Sequence, residues 1–157
     1  MERTKLVGDQ HCQRATPEFL DRAIARARRV TDANLLMRMD AGNDDEENLR
    51  RLWKNKVDWI TKRNQRRKSE EDWLEEARAH GERREPRRGK HVYTGHTWRT
   101  RDGRAKRVVF CVVRRTTAED GQRLLVPEVE IDTWWTSLGV RTASAEEVIE
   151  VSVHFEN

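Results

Sequence analysis

A chain of 157 residues with 35% hydrophobic and 38% charged side chains can bury a core but must carry much of its charge at the surface. No apolar run is long enough to cross a membrane and no leader is recognisable, so a soluble, cytoplasmic protein is expected. The two cysteines, Cys12 and Cys111, lie far apart without paired ligand spacing, so neither a disulfide framework nor a zinc site is indicated. His11 beside Cys12 has no second pair to complete a metal site.

The first fifteen residues show no sustained period. Thr16-Pro17 then predicts a helix start, with Thr as cap and Pro at the first helical position, and Phe19, Leu20, Ala23, Ile24, Ala27 and Val30 form one apolar face. Leu35 to Met39 reads as a buried strand. Asp44 and Glu47 have the spacing of a capping box for the next helix, where Leu49, Leu52 and Trp53 are expected to face inward. A second strand is expected over Val57 to Ile60. Helix, strand, helix, strand is the order of a parallel α/β sheet.

Beyond Thr61 the composition changes. Ser69 and Asp72 predict another capped helix, with Trp73, Leu74 and Ala77 inward and Gly81 at its end. His91 to Thr100, Lys106 to Arg115 and Arg123 to Ile131 read as an antiparallel meander, with turns at Asp102-Gly103 and Asp120-Gly121. Val108 to Val113 is apolar on both faces and should be a central strand. Pro127 pushes its own strand toward an edge or a bulge. Trp134-Trp135 suits packing better than base stacking. Ser144 and Glu147 cap a last helix, which the alternation of Val151 to Phe155 should end just after its first turn.

Lys and Arg number 32 against 28 Asp and Glu, and the positive charge is concentrated in Lys62 to Lys68 (KRNQRRK) and Arg83 to Lys90 (RREPRRGK). Such runs suit a phosphate backbone, with Lys62, Arg63, Arg66, Arg67, Lys68, Arg87, Arg88 and Lys90 as candidate DNA contacts. Acidic residues flank both runs, so solvated loops are the other reading. Asp40, in LLMRMDAGNDDEE, ends the first expected strand. The carboxyl end of a strand in an open α/β sheet collects ligands, and a hard cation needs oxygen donors there. An Asp beside Gly and Asn also forms turns.

The stretches HCQRATPEFL, RRVTDANLLMRMDAGND, EEDWLEEARAHGE and LLVPEVEIDTWWTSL, with EEVIE after them, resemble bacterial insertion-sequence transposases of the DDE type. The resemblance runs from about His11 to Glu150 and implies an α/β chain: a partial RNase H-like domain with an inserted α+β subdomain of antiparallel strands. It divides the sequence into residues 1–61, partial catalytic core; 62–143, helix plus antiparallel insertion; and 144–157, the start of the last core helix and an aberrant tail.

In that family three carboxylates hold two divalent metal ions, Mg2+ or Mn2+, which activate the nucleophile and stabilise the leaving oxygen at a phosphodiester. Asp40 matches the second carboxylate, as a catalytic and metal-binding residue. The first has no counterpart, because Asp9 precedes Thr16 too closely for the intervening strands. Glu146, Glu147 and Glu150 come too early for the third and read as cap and solvent-facing residues. The resemblance thus implies a fragment truncated at both ends, inactive alone and without a tightly bound metal, whose partners are the element's terminal inverted-repeat DNA and a full-length transposase. The alternative is a non-catalytic DNA-binding module that modulates that transposase.

Overall fold

The computed structural model of the protein describes residues 12–63 and 68–153. Over these residues the chain is mixed α/β: four helices flank one six-stranded sheet, and the sheet is mostly antiparallel. Helix α1 spans Cys12–Val30, strand β1 Leu36–Met39, helix α2 Glu46–Lys54 and strand β2 Asp58–Lys62. Helix α3 covers Glu70–His80, followed by β3 (Gly81–Arg87), β4 (Lys90–Arg101), β5 (Arg104–Thr117), β6 (Arg123–Thr136) and α4 (Ala145–Val153). The strand order is β1-β2-β6-β5-β4-β3, with β1 and β2 parallel and every other pair antiparallel. Because β2 pairs with β6, the expected meander continues the same sheet as the β1–β2 pair.

The period-two alternation of β5 and β6 divides the core into two layers. Val108, Phe110, Val112 and Trp135 face α1, α2 and α3, and pack with Leu20, Ile24, Leu49, Leu52, Trp73, Leu74 and Ala77. Val109 and Trp134 face the other way, onto Ile60 and Val148 of α4. Both tryptophans of the 134–135 pair are buried, as packing side chains should be. Strand β5 is interior and four of its apolar residues are fully buried, each contributing about 1.5–3 kcal/mol. Pro127 falls where β6 extends beyond β2, with only β5 alongside, and at the register shift between Arg115 and Thr117. A residue without an N–H is tolerated there.

Five expectations need correction. Helix α1 begins at Cys12, so Pro17 lies inside it instead of opening it; a proline this near the N-terminus forfeits only one backbone bond, and the start one turn earlier survives. Asp45, not Asp44, caps α2 by accepting from the Glu47 amide at 2.9 Å, because Asp44 is engaged by Arg101. Trp53 is 67% exposed and does not join Leu49 and Leu52 in the core. The solvated-loop alternative for Arg83 to Lys90 fails for most of the run: Arg83 to Arg87 lie in edge strand β3, which lacks an apolar face, and only Arg88 and Gly89 turn; Pro86 occupies the register shift between Arg84 and Arg87. Helix α4 continues to Val153, because Val148 and Ser152, four residues apart, both face the sheet. The Ser152 hydroxyl donates to the Val148 carbonyl at 2.8 Å, so burial leaves it satisfied.

The caps of α3 and α4 form as expected. Ser69 accepts from the Asp72 amide at 3.1 Å. Ser144 accepts from the Glu147 amide at 3.2 Å, while the Glu147 carboxylate accepts from the Ser144 amide at 2.7 Å.

Candidate functional site

Strand β1 ends at Met39, opposite Thr61 of β2, and Asp40 follows it at the carboxyl end of the parallel pair. The chain then turns through a short 3-10 segment, Ala41–Asn43. Asp40 is exposed, and its carboxylate accepts from the Asn43 amide side chain at 2.7 Å. Its carbonyl accepts from the Asn43 backbone N–H at 3.1 Å and from the Thr61 hydroxyl at 3.3 Å. These bonds are those of a turn former. The two next acids are committed elsewhere: Asp44 to Arg101, and Asp45 to the cap of α2. Among the described residues, no group of three or more His, Cys, Asp or Glu is arranged to hold a metal ion. A two-metal centre requires convergent carboxylates, and the described residues around Asp40 do not supply them.

Of the eight candidate DNA contacts, Arg66 and Arg67 lie outside the described residues. The other six fall into two groups, both toward the end of the sheet where β1 and β2 terminate. Lys62, Arg63 and Lys68 form the first. Lys62 leaves β2 toward the α4 side and lies 3.1 Å from the Asp132 carboxylate. Arg63 points the other way, its guanidinium 5.2 Å from the Trp135 ring centre and 5.8 Å from that of Trp73. Burial, and then the neighbouring charge of Arg99, lower the pKa of Arg63. Lys68 lies 4.3 Å from the Trp73 ring centre and pairs with Glu76.

Arg87, Arg88 and Lys90 form the second group, at the β3–β4 turn. The register from Val109 to Arg115 along β5 sets them about 20 Å further along the sheet from Lys62. Arg87 is a structural latch: its guanidinium donates to the Thr117 hydroxyl and the Ala118 carbonyl, both at 2.9 Å, tying β3 to the β5–β6 turn. Arg88 is exposed and Lys90 half-buried. Arg88 and Lys90 therefore retain cationic surface for phosphate, and Lys62 can exchange its part-exposed ion pair with Asp132 for one, whereas Arg63, Lys68 and Arg87 are held by the protein itself.

Other cations belong to no charged run in the sequence. Arg101 pairs with Asp44, and with Glu46 at 2.8 Å, while lying 5.2 Å from the Trp135 ring centre. Arg99 donates to Glu76 at 2.6 Å, and Lys106 lies 3.3 Å from Glu46. Arg99, Arg101 and Lys106 form a layer of charge across α2, α3 and the β4–β5 hairpin. The available signal was alternation: cations at every second position of RTRDGRAKR place their side chains on one face of the hairpin. The chain matches no family model, and no curated protein matches it significantly.

Proposed function

We propose that the chain is part of an insertion-sequence transposase of the DDE type, comprising part of an RNase H-like core and its antiparallel insertion, and that alone it binds DNA without cutting it. The observation that carries this reading is that Asp40, with no metal-holding group of acids around it among the described residues, lies toward the same end of the sheet as the cations Lys62, Arg88 and Lys90. Cleavage at a phosphodiester by two metal ions needs several carboxylates around one point. Holding a DNA backbone needs only cations that can exchange their counterions for phosphate, and Arg88 and Lys90, with Lys62 once it leaves Asp132, can do so. The DNA is the terminal inverted repeat of the element, met in the cytoplasm. The edge strand β1, which among the described residues pairs only with β2, favours a further role in complexes with full-length transposase.

Fluorescence anisotropy with a duplex carrying the element end, between about 50 and 200 mM salt, tests the reading. Affinity should fall steeply with salt, and the triple change Lys62→Ala, Arg88→Ala, Lys90→Ala should flatten the log–log slope by about two to three units. Absent or salt-independent binding overturns it. The same DNA incubated with Mg2+ or Mn2+ should remain uncut. Product that disappears in Asp40→Ala protein would make the chain a nuclease, whereas product that persists there marks a contaminating enzyme.

A further inference from the structure

We propose that a cavity beside the start of β5 binds a small planar aromatic molecule carrying an anionic group. The cavity measures about 220 Å³ and lies between α2, the start of β2, the β4–β5 hairpin and residues 136–139. Trp53, Trp59 and Trp98 supply aromatic wall, and Arg104, Lys106 and Arg107 supply charge.

Two independent observations converge on it. The chain has six tryptophans; four are buried, and the two exposed ones, Trp53 at 67% and Trp98 at 53%, both border this cavity. They come from α2 and β4 and border the opening from opposite faces of the sheet, since Trp98 pairs with Arg107 whereas its neighbour Arg99 pairs with Lys106 on the α2 side, so each can edge a flat ring from its own side. The second observation is unmatched charge. Arg50 is neutralised by Asp102 at 3.1 Å and Lys106 by Glu46 at 3.3 Å. Arg104 has no carboxylate partner among the described residues and lies 4.9 Å from the Trp53 ring centre.

Arg107 is 2% exposed. Its Nη1 donates to the carbonyls of Leu138 at 3.1 Å and Ala143 at 2.8 Å, leaving Nε and Nη2 without acceptors among the described residues. A buried guanidinium with unmet donors is costly, and an anion in the adjoining cavity offsets its charge, although Nε and Nη2 are themselves closed to solvent. The cavity is smaller than the ~300–1,000 Å³ of drug-sized sites, which suits one small ring system with a charged substituent. An aromatic carboxylate and a nucleoside monophosphate share that chemistry. The inference is independent of the DNA-binding reading.

Titration calorimetry of the whole chain with 2-naphthoate and with adenosine monophosphate tests it, with neutral 2-naphthalenemethanol and inorganic phosphate as controls. Saturable heat is expected with at least one of the two anionic aromatics and with neither control. Tighter 2-naphthoate identifies the source as an aromatic acid, and tighter adenosine monophosphate as a nucleotide. Trp98→Ala and Arg104→Ala, both at exposed positions, should each weaken binding at least about tenfold. Arg107→Met should abolish it, and if that protein does not fold the two exposed variants decide. Absence of saturable heat, equal binding of either control, or unchanged affinity in both exposed variants overturns the proposal.

Discussion

Gly81 and Gly95 stand directly opposite each other in the β3–β4 ladder, and the Phe110 ring lies across the space that a side chain on either would occupy. A Cβ on Gly95 would come within 2.7 Å of the His80 carbonyl and 2.8 Å of Phe110; one on Gly81 would meet the Ala77 carbonyl at 2.6 Å. The end of α3 can therefore pass into β3 directly above the sheet only because both residues lack side chains. Gly95→Ala should destabilise the protein by about 2–3 kcal/mol, since backbone and a packed ring must both move. Urea unfolding would read this as a lower midpoint at unchanged slope.

The reciprocal cap of α4 gives a smaller, local effect. Ser144→Ala removes the acceptor for the Glu147 amide and should cost about 1 kcal/mol. Its consequence reaches the core through Val148, which packs against Ile60, Val109 and Trp134. Equilibrium unfolding of the variant, compared with Ser144→Asp as a capping control, measures the contribution.

These two elements show why some parts of the chain were legible in the sequence and others were not. Local signals that need no tertiary information succeeded: Ser69 and Ser144 with the acids three residues on, the Asp-Gly turns, and the apolar run of β5. Signals that tertiary contacts override failed. Strand β3 carries almost no apolar residue, because it is an edge whose hydrogen bonds to β4, and the Arg87 latch, hold it in place. Val151-Ser152-Val153 alternates like a strand, yet the sheet needs a helical face at Val148 and Ser152. The candidate site was legible as residue types and not as geometry. Arg63 and Lys68 are cations in a charged run, but nothing in the run says that Trp73 will lie beneath both.

Arg101 links α2 to the end of β4 by binding Asp44 and Glu46, and Asp44 is almost fully buried in doing so. Burial works against the charge of Arg101, but the two carboxylates more than offset this and raise the pKa of its guanidinium. Arg101→Met would leave Asp44 without its cation and should destabilise the fold by about 2–4 kcal/mol. The double change Arg101→Met, Asp44→Asn should recover part of the loss. A double-mutant cycle in urea separates the pair from the lost contact with Trp135.

Cys111 lies opposite Asp132 in the β5–β6 ladder, with Glu130 nearby. Burial, and then these two carboxylates, push its thiol pKa up to about 11 from an ordinary value of 9.0. At pH 8 the folded thiol should thus hold about a hundredfold less thiolate than the unfolded one, and alkylation by iodoacetamide should slow to match. The direction of the stability change follows from proton counting: between pH 9 and 11 the unfolded chain has lost this proton and the folded chain still holds it. Stability contributed by the neutral thiol is therefore complete below pH 9 and declines as pH rises toward 11. In a Cys12→Ser background, labelling at pH 8 with and without urea measures the first effect. The difference in unfolding free energy between that protein and its Cys111→Ala derivative, followed from pH 8 to 11, measures the second. Labelling at equal rates in the folded and unfolded chains would show that the thiol is open to solvent and that its titration is not coupled to folding.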